Sequence, residues 1–216
     1  MATILQVLVS PRPQSWSRRV ADNITRRIAE LRPGAVIVTR DLAADPPPHP
    51  GHDFYEAILS LTPDGDPRFA LSECYIAELE AADFVVIGTP MNNFTVPSTL
   101  KAWIDHIVRI RRTFRSTPEG KIGLLRDRPL IVTSARGGYV TTPPHQPDFL
   151  TSYLRAIFET IGIPSVAFLP LEGMARGPEA VARALDATET WIDQRLPAMV
   201  AAASFRTDPT AAAAGG

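Results

Sequence analysis

A single cysteine, Cys74, stands in a chain of 216 residues. One thiol excludes an intrachain disulfide and a cysteine-built zinc site, and it fits a reducing compartment, so a cytoplasmic location is the expectation. Long apolar runs are missing too: nothing approaches the roughly 18 apolar residues of a membrane span. The amino end, MATILQVLVSPRPQ, has neither a basic leader nor a small-residue cleavage site. A soluble, unprocessed chain with no membrane partner is therefore expected. Excess charge is absent, because 22 Lys and Arg face 23 Asp and Glu for a net −1. Such a surface has no field to gather polyanions, which excludes nucleic acid as the expected partner. Histidine is scarce, and His49, His52, His106 and His145 show no paired ligand spacing, so no metal site is expected. Finally, the loop SPRPQSWSRR after the first apolar run holds no glycine, which excludes both a dinucleotide fingerprint and a Walker loop.

What is present alternates. TILQVLV, AVIVTRDL, DFVVIG, RPLIVTSA and SVAFLPL are short Val, Ile and Leu runs, each the composition of a strand buried on both faces of a parallel sheet. Between them lie segments of helical period. Val20, Ile24, Ile28 and Leu31 mark the first; two more are expected near Asp53 to Leu61 and Pro67 to Ala82, the latter with Leu71, Cys74, Ile76 and Leu79 on its apolar face. STLKAWIDHIVRIRR reads as a helix through Leu100, Trp103, Ile104 and Ile107, DFLTSYLRAIFETIG as one closed by Gly162, and a last helix runs from about Pro178 to Ala203. Strand and helix in alternation predict an α/β fold, a doubly wound five-stranded parallel sheet with helices on both faces. One domain over 1–204 is expected, since a chain of this size buries roughly 70% of its unfolded surface. The Ala/Gly-rich residues 205–216 offer little to pack and are expected to be disordered.

Ligands of such sheets bind beyond the carboxyl ends of the strands, so three loops carry the function. In the first, Ser10, Ser15 and Ser17 precede a helix whose free amides and positive pole suit a monophosphate; the plainer reading is that Ser15 or Ser17 only caps the helix, with Arg12, Arg18 and Arg19 as solvated surface. In the second, TPMNNFTVPSTLKAW, the amides of Asn92 and Asn93 can bond a flat heterocycle that Met91 or Phe94 covers. An ordinary strand-to-helix turn is the alternative. In the third, TSARGGYVTTPPHQPD, Gly137 and Gly138 permit positive φ and close approach of backbone N–H groups to negative charge. Tyr139 and His145 are either proton donors on the acceptor side or loop surface. Cys74 reads as a small buried hydrophobe, and RIRRTFR, Arg109 to Arg115, as a solvated helix end rather than an anion site.

These pieces together carry a resemblance. Ser-Trp-Ser after the first strand, PMNNF and PSTLKAWID after the third, TFR with PEGKIGLLRDRP before the fourth and TSARGGY after it resemble the FMN-dependent NADH azoreductases of the flavodoxin-like NAD(P)H:quinone oxidoreductase superfamily. RDLAADPPP and EGMARGPEA extend the likeness over nearly the whole chain. The resemblance implies FMN, with NADH or NADPH as hydride donor. It implies phosphate and ribityl contacts from Ser10, Ser15, Trp16 and Ser17, ring contacts from Met91, Asn92, Asn93 and Phe94, and pyrimidine-side contacts from Ser134, Arg136, Gly137 and Gly138. It further implies ping-pong transfer to a planar quinone or azo compound and a homodimer with the flavin near the interface, toward which Phe114 and its segment reach. Two positions depart from the family pattern: Asn92 stands where an aromatic residue is common, and Ala135 is an extra residue in the Ser-Arg-Gly-Gly series. A flavodoxin-like electron carrier, or a flavin reductase supplying a partner monooxygenase, is the alternative on the same fold.

Overall fold

A computed structural model describes residues 1–203; the stretch 205–216, expected to be disordered, lies outside the described residues. The elements run β1 (Thr3–Leu8), α1 (Trp16–Leu31), β2 (Val36–Asp41), α2 (His52–Leu59), α3 (Ala70–Ala81), β3 (Phe84–Pro90) and α4 (Ser98–Ile107). Then come β4 (Phe114–Thr117), β5 (Gly120–Gly123), β6 (Leu130–Ala135), α5 (Phe149–Ile161), β7 (Val166–Leu171) and α6 (Pro178–Ala202). A parallel sheet of five strands in the order β2-β1-β3-β6-β7 forms the centre. Strand order reverses between β1 and β3, which puts the switch point at the loops following them.

The pleat sorts the apolar residues onto two faces. Leu5 and Val7 of β1 join Ile76 and Leu79 of α3, Trp103 and Ile107 of α4, and Leu154 and Phe158 of α5 in one core layer. Ile4 and Leu8 face the other way, onto Ile24 and Ile28 of α1 and Ile192 and Leu196 of α6. Side-chain alternation in a strand dictates this division. Gly88 of β3 lets α1 lie directly on the sheet: a Cβ there would stand 2.7 Å from the Ser17 carbonyl oxygen and 2.8 Å from the Ala21 Cβ. Gly162 ends α5 in the left-handed conformation, φ 98°, the role glycine fills at helix ends.

Several expectations change. α4 stops at Ile107 instead of continuing through Arg112, because the Thr113 hydroxyl donates to the Ile107 carbonyl at 2.7 Å and occupies an end that would otherwise propagate. Arg109 is not solvated: it is 1% exposed, pairs with Asp64 at 2.7 Å and with Glu73, and lies over the Phe69 ring. Arg112 binds both oxygens of Glu80, at 2.7 and 2.8 Å. The segment then forms the antiparallel β4-β5 hairpin, which periodicity did not disclose. Cys74 is exposed, since the inward face of α3 runs through Ser72, Tyr75, Ile76 and Leu79. A serine in that apolar stripe hid the true register.

Candidate active site

Beyond the carboxyl ends of β1, β3 and β6 lies a cleft of about 380 Å³ lined by Ser10, Pro11, Arg12, Gln14, Ser15, Trp16, Ser17, Pro90, Asn92, Ala135, Arg136, Gly137, Met174 and Ala175. One end is the start of α1. Ser15 is its N-cap, extended at φ −68° and ψ 144°, and its hydroxyl accepts from the Arg18 amide at 3.3 Å. Capping and anion binding do not compete here, because the amides of Trp16 and Ser17 belong to the first turn and have no acceptor within the helix. Ser17 is fully buried and its hydroxyl stands 3.3 Å from that of Ser15. Arg18, read as surface, is tied inward: its guanidinium donates to the Ser10 carbonyl at 2.7 Å and to Asp41 at 2.6 Å. The Arg18 hydrogen bond holds the Asp41 carboxyl below its usual range, assisted by the Ala43 and Ala44 amides against the effect of burial. The loop is thereby stapled to the end of β2. Arg19 lies over the Trp16 ring, 4.3 Å from its centroid. Arg12 sits exposed on the cleft wall.

At the other end, Gly137 lines the cleft and Gly138 follows it. Neither takes positive φ; what matters is the missing side chain. A Cβ on Gly137 would come 3.3 Å from that of Ala175, and one on Gly138 would meet the Gln146 amide at 2.6 Å. Among the described residues no acceptor meets the amides of these two residues, while their carbonyls accept from Ala175 and Gly173. Met174 and Ala175 follow β7 and are drawn in by those backbone bonds, so a fourth loop contributes. The three-loop reading missed it, although the likeness of EGMARGPEA to the family was its signal.

Not every expected residue lines this cleft. Ser134 is buried beneath it, where its hydroxyl accepts from Arg136 at 3.0 Å. The Arg136 side chain is committed as well, donating to Asp148 at 2.8 Å with Glu172 at 3.8 Å. Met91 packs toward the core, its sulfur 3.8 Å from the Gln146 amide nitrogen. Asn93 and Phe94 form the two centres of a tight turn at φ 47° and 68°, closed by mutual Asn92–Thr95 backbone bonds of 3.0 Å. That is the geometry of a two-residue turn in which asparagine is comfortable and phenylalanine strained. Phe94 is 44% exposed. Tyr139 and His145 are not brought into the cleft: the Tyr139 ring packs on Gly173, and the exposed His145 bonds the Val140 carbonyl at 2.7 Å. Among the described residues no group of three His, Cys, Asp or Glu side chains is arranged to hold a metal, and no helix is long and apolar enough to cross a membrane.

Strand order and cleft together define a flavodoxin-like protein, with a phosphate-sized helix pole facing backbone donors across the switch point. The flavodoxin-like fold family profile matches residues 2–196. FMN-dependent NADH:quinone oxidoreductase 2 of Cupriavidus pinatubonensis is 46% identical over 197 residues, 88% of this chain and 96% of that protein. FMN-dependent NADH:quinone oxidoreductase 4 of Pseudomonas fluorescens is 44% identical, covering 86% of this chain and 91% of its own. Among solved structures, an azoreductase of Bacillus anthracis superposes with a TM-score of 0.78 at 25% identity, over 87% of this chain and 95% of that one. The chain belongs to the flavodoxin-like family of FMN-dependent NADH:quinone oxidoreductases.

Proposed function

We propose that the chain is an FMN-dependent NADH oxidoreductase acting on electron-poor planar acceptors, quinones or azo compounds. The observation that carries this reading is the pairing, in one cleft, of an α1 pole flanked by Ser10, Ser15 and Ser17 with Gly137, whose amide and that of the following Gly138 meet no acceptor among the described residues. The donor set fits the group: hydroxyls, first-turn amides and Arg12 for a dianionic phosphate, and N–H donors where a reduced ring gathers negative charge. A side chain at Gly137 would occupy that space. When bound, FMN supplies two-electron hydride chemistry between NADH and the acceptor.

The protein's part is positional. Ser15, Ser17 and the start of α1 hold the phosphate; Trp16 and Gln14 shape the passage beyond it; Asn92 and the Gly137–Gly138 backbone hold the ring. Asn92 leaves the ring edge more open than the aromatic residue common in the family, which broadens the acceptors that stack. One cleft serving donor and acceptor in turn gives ping-pong kinetics. Tyr139 and His145 stand apart from the cleft walls, so water is the proton source for the reduced acceptor. A cytoplasmic location accords with the lone thiol. Two copies pair as a homodimer that covers exposed Phe94 and Phe149, which are 44% and 60% exposed. In the Arg109–Arg115 segment, Arg109 and Arg112 are engaged within the chain and Phe114 is 8% exposed, so any part the segment takes in the pairing falls to its exposed Arg111 and Arg115.

The test is an absorption spectrum of the FMN-reconstituted protein, followed by anaerobic NADH. Stoichiometric FMN uptake and rapid two-electron bleaching, reversed by a quinone, is the expected result. Rejection of FMN, or a lasting one-electron signal, overturns the assignment.

A further inference from the structure

Asp148 does not itself line the cleft, but it closes the loop after β6 whose start does, and it and its neighbour hold that start and the loop after β3 in place. Its Oδ1 accepts from the Thr151 amide at 2.8 Å and caps α5, while its Oδ2 accepts from the Thr151 hydroxyl at 2.7 Å and from Arg136 at 2.8 Å. The Arg136 side chain is 2% exposed, so this carboxylate is its close ionic partner in a place that water scarcely reaches. Glu172 stands farther off, at 3.8 Å, and its other oxygen accepts from the Thr141 hydroxyl at 2.7 Å. Arg136 immediately precedes the glycine pair, with its amide bonded to Leu171 and its carbonyl to Met174. The next residue after Asp148 grips the second loop: the Phe149 amide donates to the Phe94 carbonyl at 2.9 Å. Phe94 is a non-glycine residue at φ 68°, and backbone of that kind persists only when its surroundings over-determine it.

We infer that Asp148 is a positioning residue for the flavin ring: through its ion pair with Arg136 it fixes the Gly137–Gly138 amides, and through the helix it caps it fixes the strained Asn93–Phe94 turn. The inference rests on the FMN assignment above. It also accounts for two features together, namely a buried arginine at the root of a glycine loop and a phenylalanine held in a conformation it disfavours.

Asp148→Asn separates the two duties of this side chain. Asparagine caps helices as well as aspartate does, so α5 keeps its start while the charge facing Arg136 is lost. FMN titrated into apoprotein, followed by quenching of flavin fluorescence, should show a dissociation constant raised about tenfold, since a charge-assisted hydrogen bond is removed. Ile192→Val, in the core on the opposite face of the sheet, serves as a stability control with unchanged FMN affinity. Asp148→Ser, also a capping residue, carries the same expectation should the first variant fail to fold, and Arg136→Lys reads the pair from its other end. Wild-type affinity in Asp148→Asn, or a loss no larger than that of a control with equal melting temperature, overturns the inference. Failure of the wild-type protein to bind FMN overturns the functional assignment itself, and the two results are told apart in one titration.

Discussion

A guanidinium is legible in a sequence only as a charge. Arg18, Arg109 and Arg136 all read as surface or ligand groups, yet each is turned inward to a carboxylate 23, 45 or 12 residues away. No local period encodes such pairs, which is why the serines and glycines of the cleft were legible and the struts behind them were not. Turn chemistry was readable for a related reason: an unpaired amide next to a glycine, or a serine ahead of a helix, is a property of neighbours in the chain. Two residue-scale outcomes follow. Gly137→Leu fills the ring end of the cleft, so the protein should purify without bound flavin and without absorbance near the flavin band; a fully coloured variant would contradict the placement. Ser15→Ala removes the N-cap of α1 at about 1 kcal/mol. Denaturant titration should show that loss, and FMN titration a parallel weakening.

Elements were read well where burial is uniform and poorly where one polar residue interrupts it. The central strands β1, β3 and β6 are buried nearly throughout and fell where expected, as did α5 with its terminal glycine; the edge strands β2 and β7 also fell in place, but burial on both faces was wrong for β2, where Val36 and Ile37 are exposed because no strand covers that edge. α4 was read too long because Ile110 prolongs the helical period beyond the Thr113 cap, and β4-β5 escaped because it is short and has one exposed face. Close packing between elements is invisible in a single sequence, since a glycine in a strand reads as weakness rather than as contact. Gly88 and Gly123 make the point. A Cβ on Gly88 presses on α1 at Ser17, whereas one on Gly123 would stand 2.1 Å from the Gly162 amide nitrogen, against the end of α5. Overpacking costs about 1–3 kcal/mol, so Gly88→Ala and Gly123→Ala should both melt at lower temperature. Only Gly88→Ala should also weaken FMN, because it displaces the phosphate end of the cleft. Equal FMN affinity in the two variants would remove α1 from the site.

For the whole molecule, the doubly wound parallel sheet followed from alternation, because right-handed crossovers leave few ways to wind such a chain, whereas the strand order β2-β1-β3-β6-β7 did not. His106 contributes to its response to acid, beside the Asp41 and Asp148 carboxyls, whose pKa values are held below the usual range. The His106 ring is 5% exposed, packs edge-on against Phe54 and Tyr75, and donates from Nε2 to the Pro48 carbonyl at 2.9 Å. Nδ1 has no partner. Burial lowers its pKa from the ordinary 6.5, against the raising effects of the Pro48 bond and Asp105. The unfolded chain therefore binds this proton first as pH falls. Stability from this residue is complete above about 6.5 and declines as pH drops through the folded value, with a slope of at most about 1.4 kcal/mol per pH unit. Denaturation midpoints measured down the acid range should show that slope, and His106→Gln should flatten it. Sedimentation should give a dimer; a stable monomer with full activity would refute the pairing.

Cys74, exposed on α3 and without a second cysteine in the chain, gives the protein a natural attachment point. A maleimide spin probe placed there labels each chain once with no engineering. In a symmetric pair, dipolar spectroscopy would return a single inter-probe distance, and its sharpening or shift on adding flavin would report whether cofactor and partner are felt in concert.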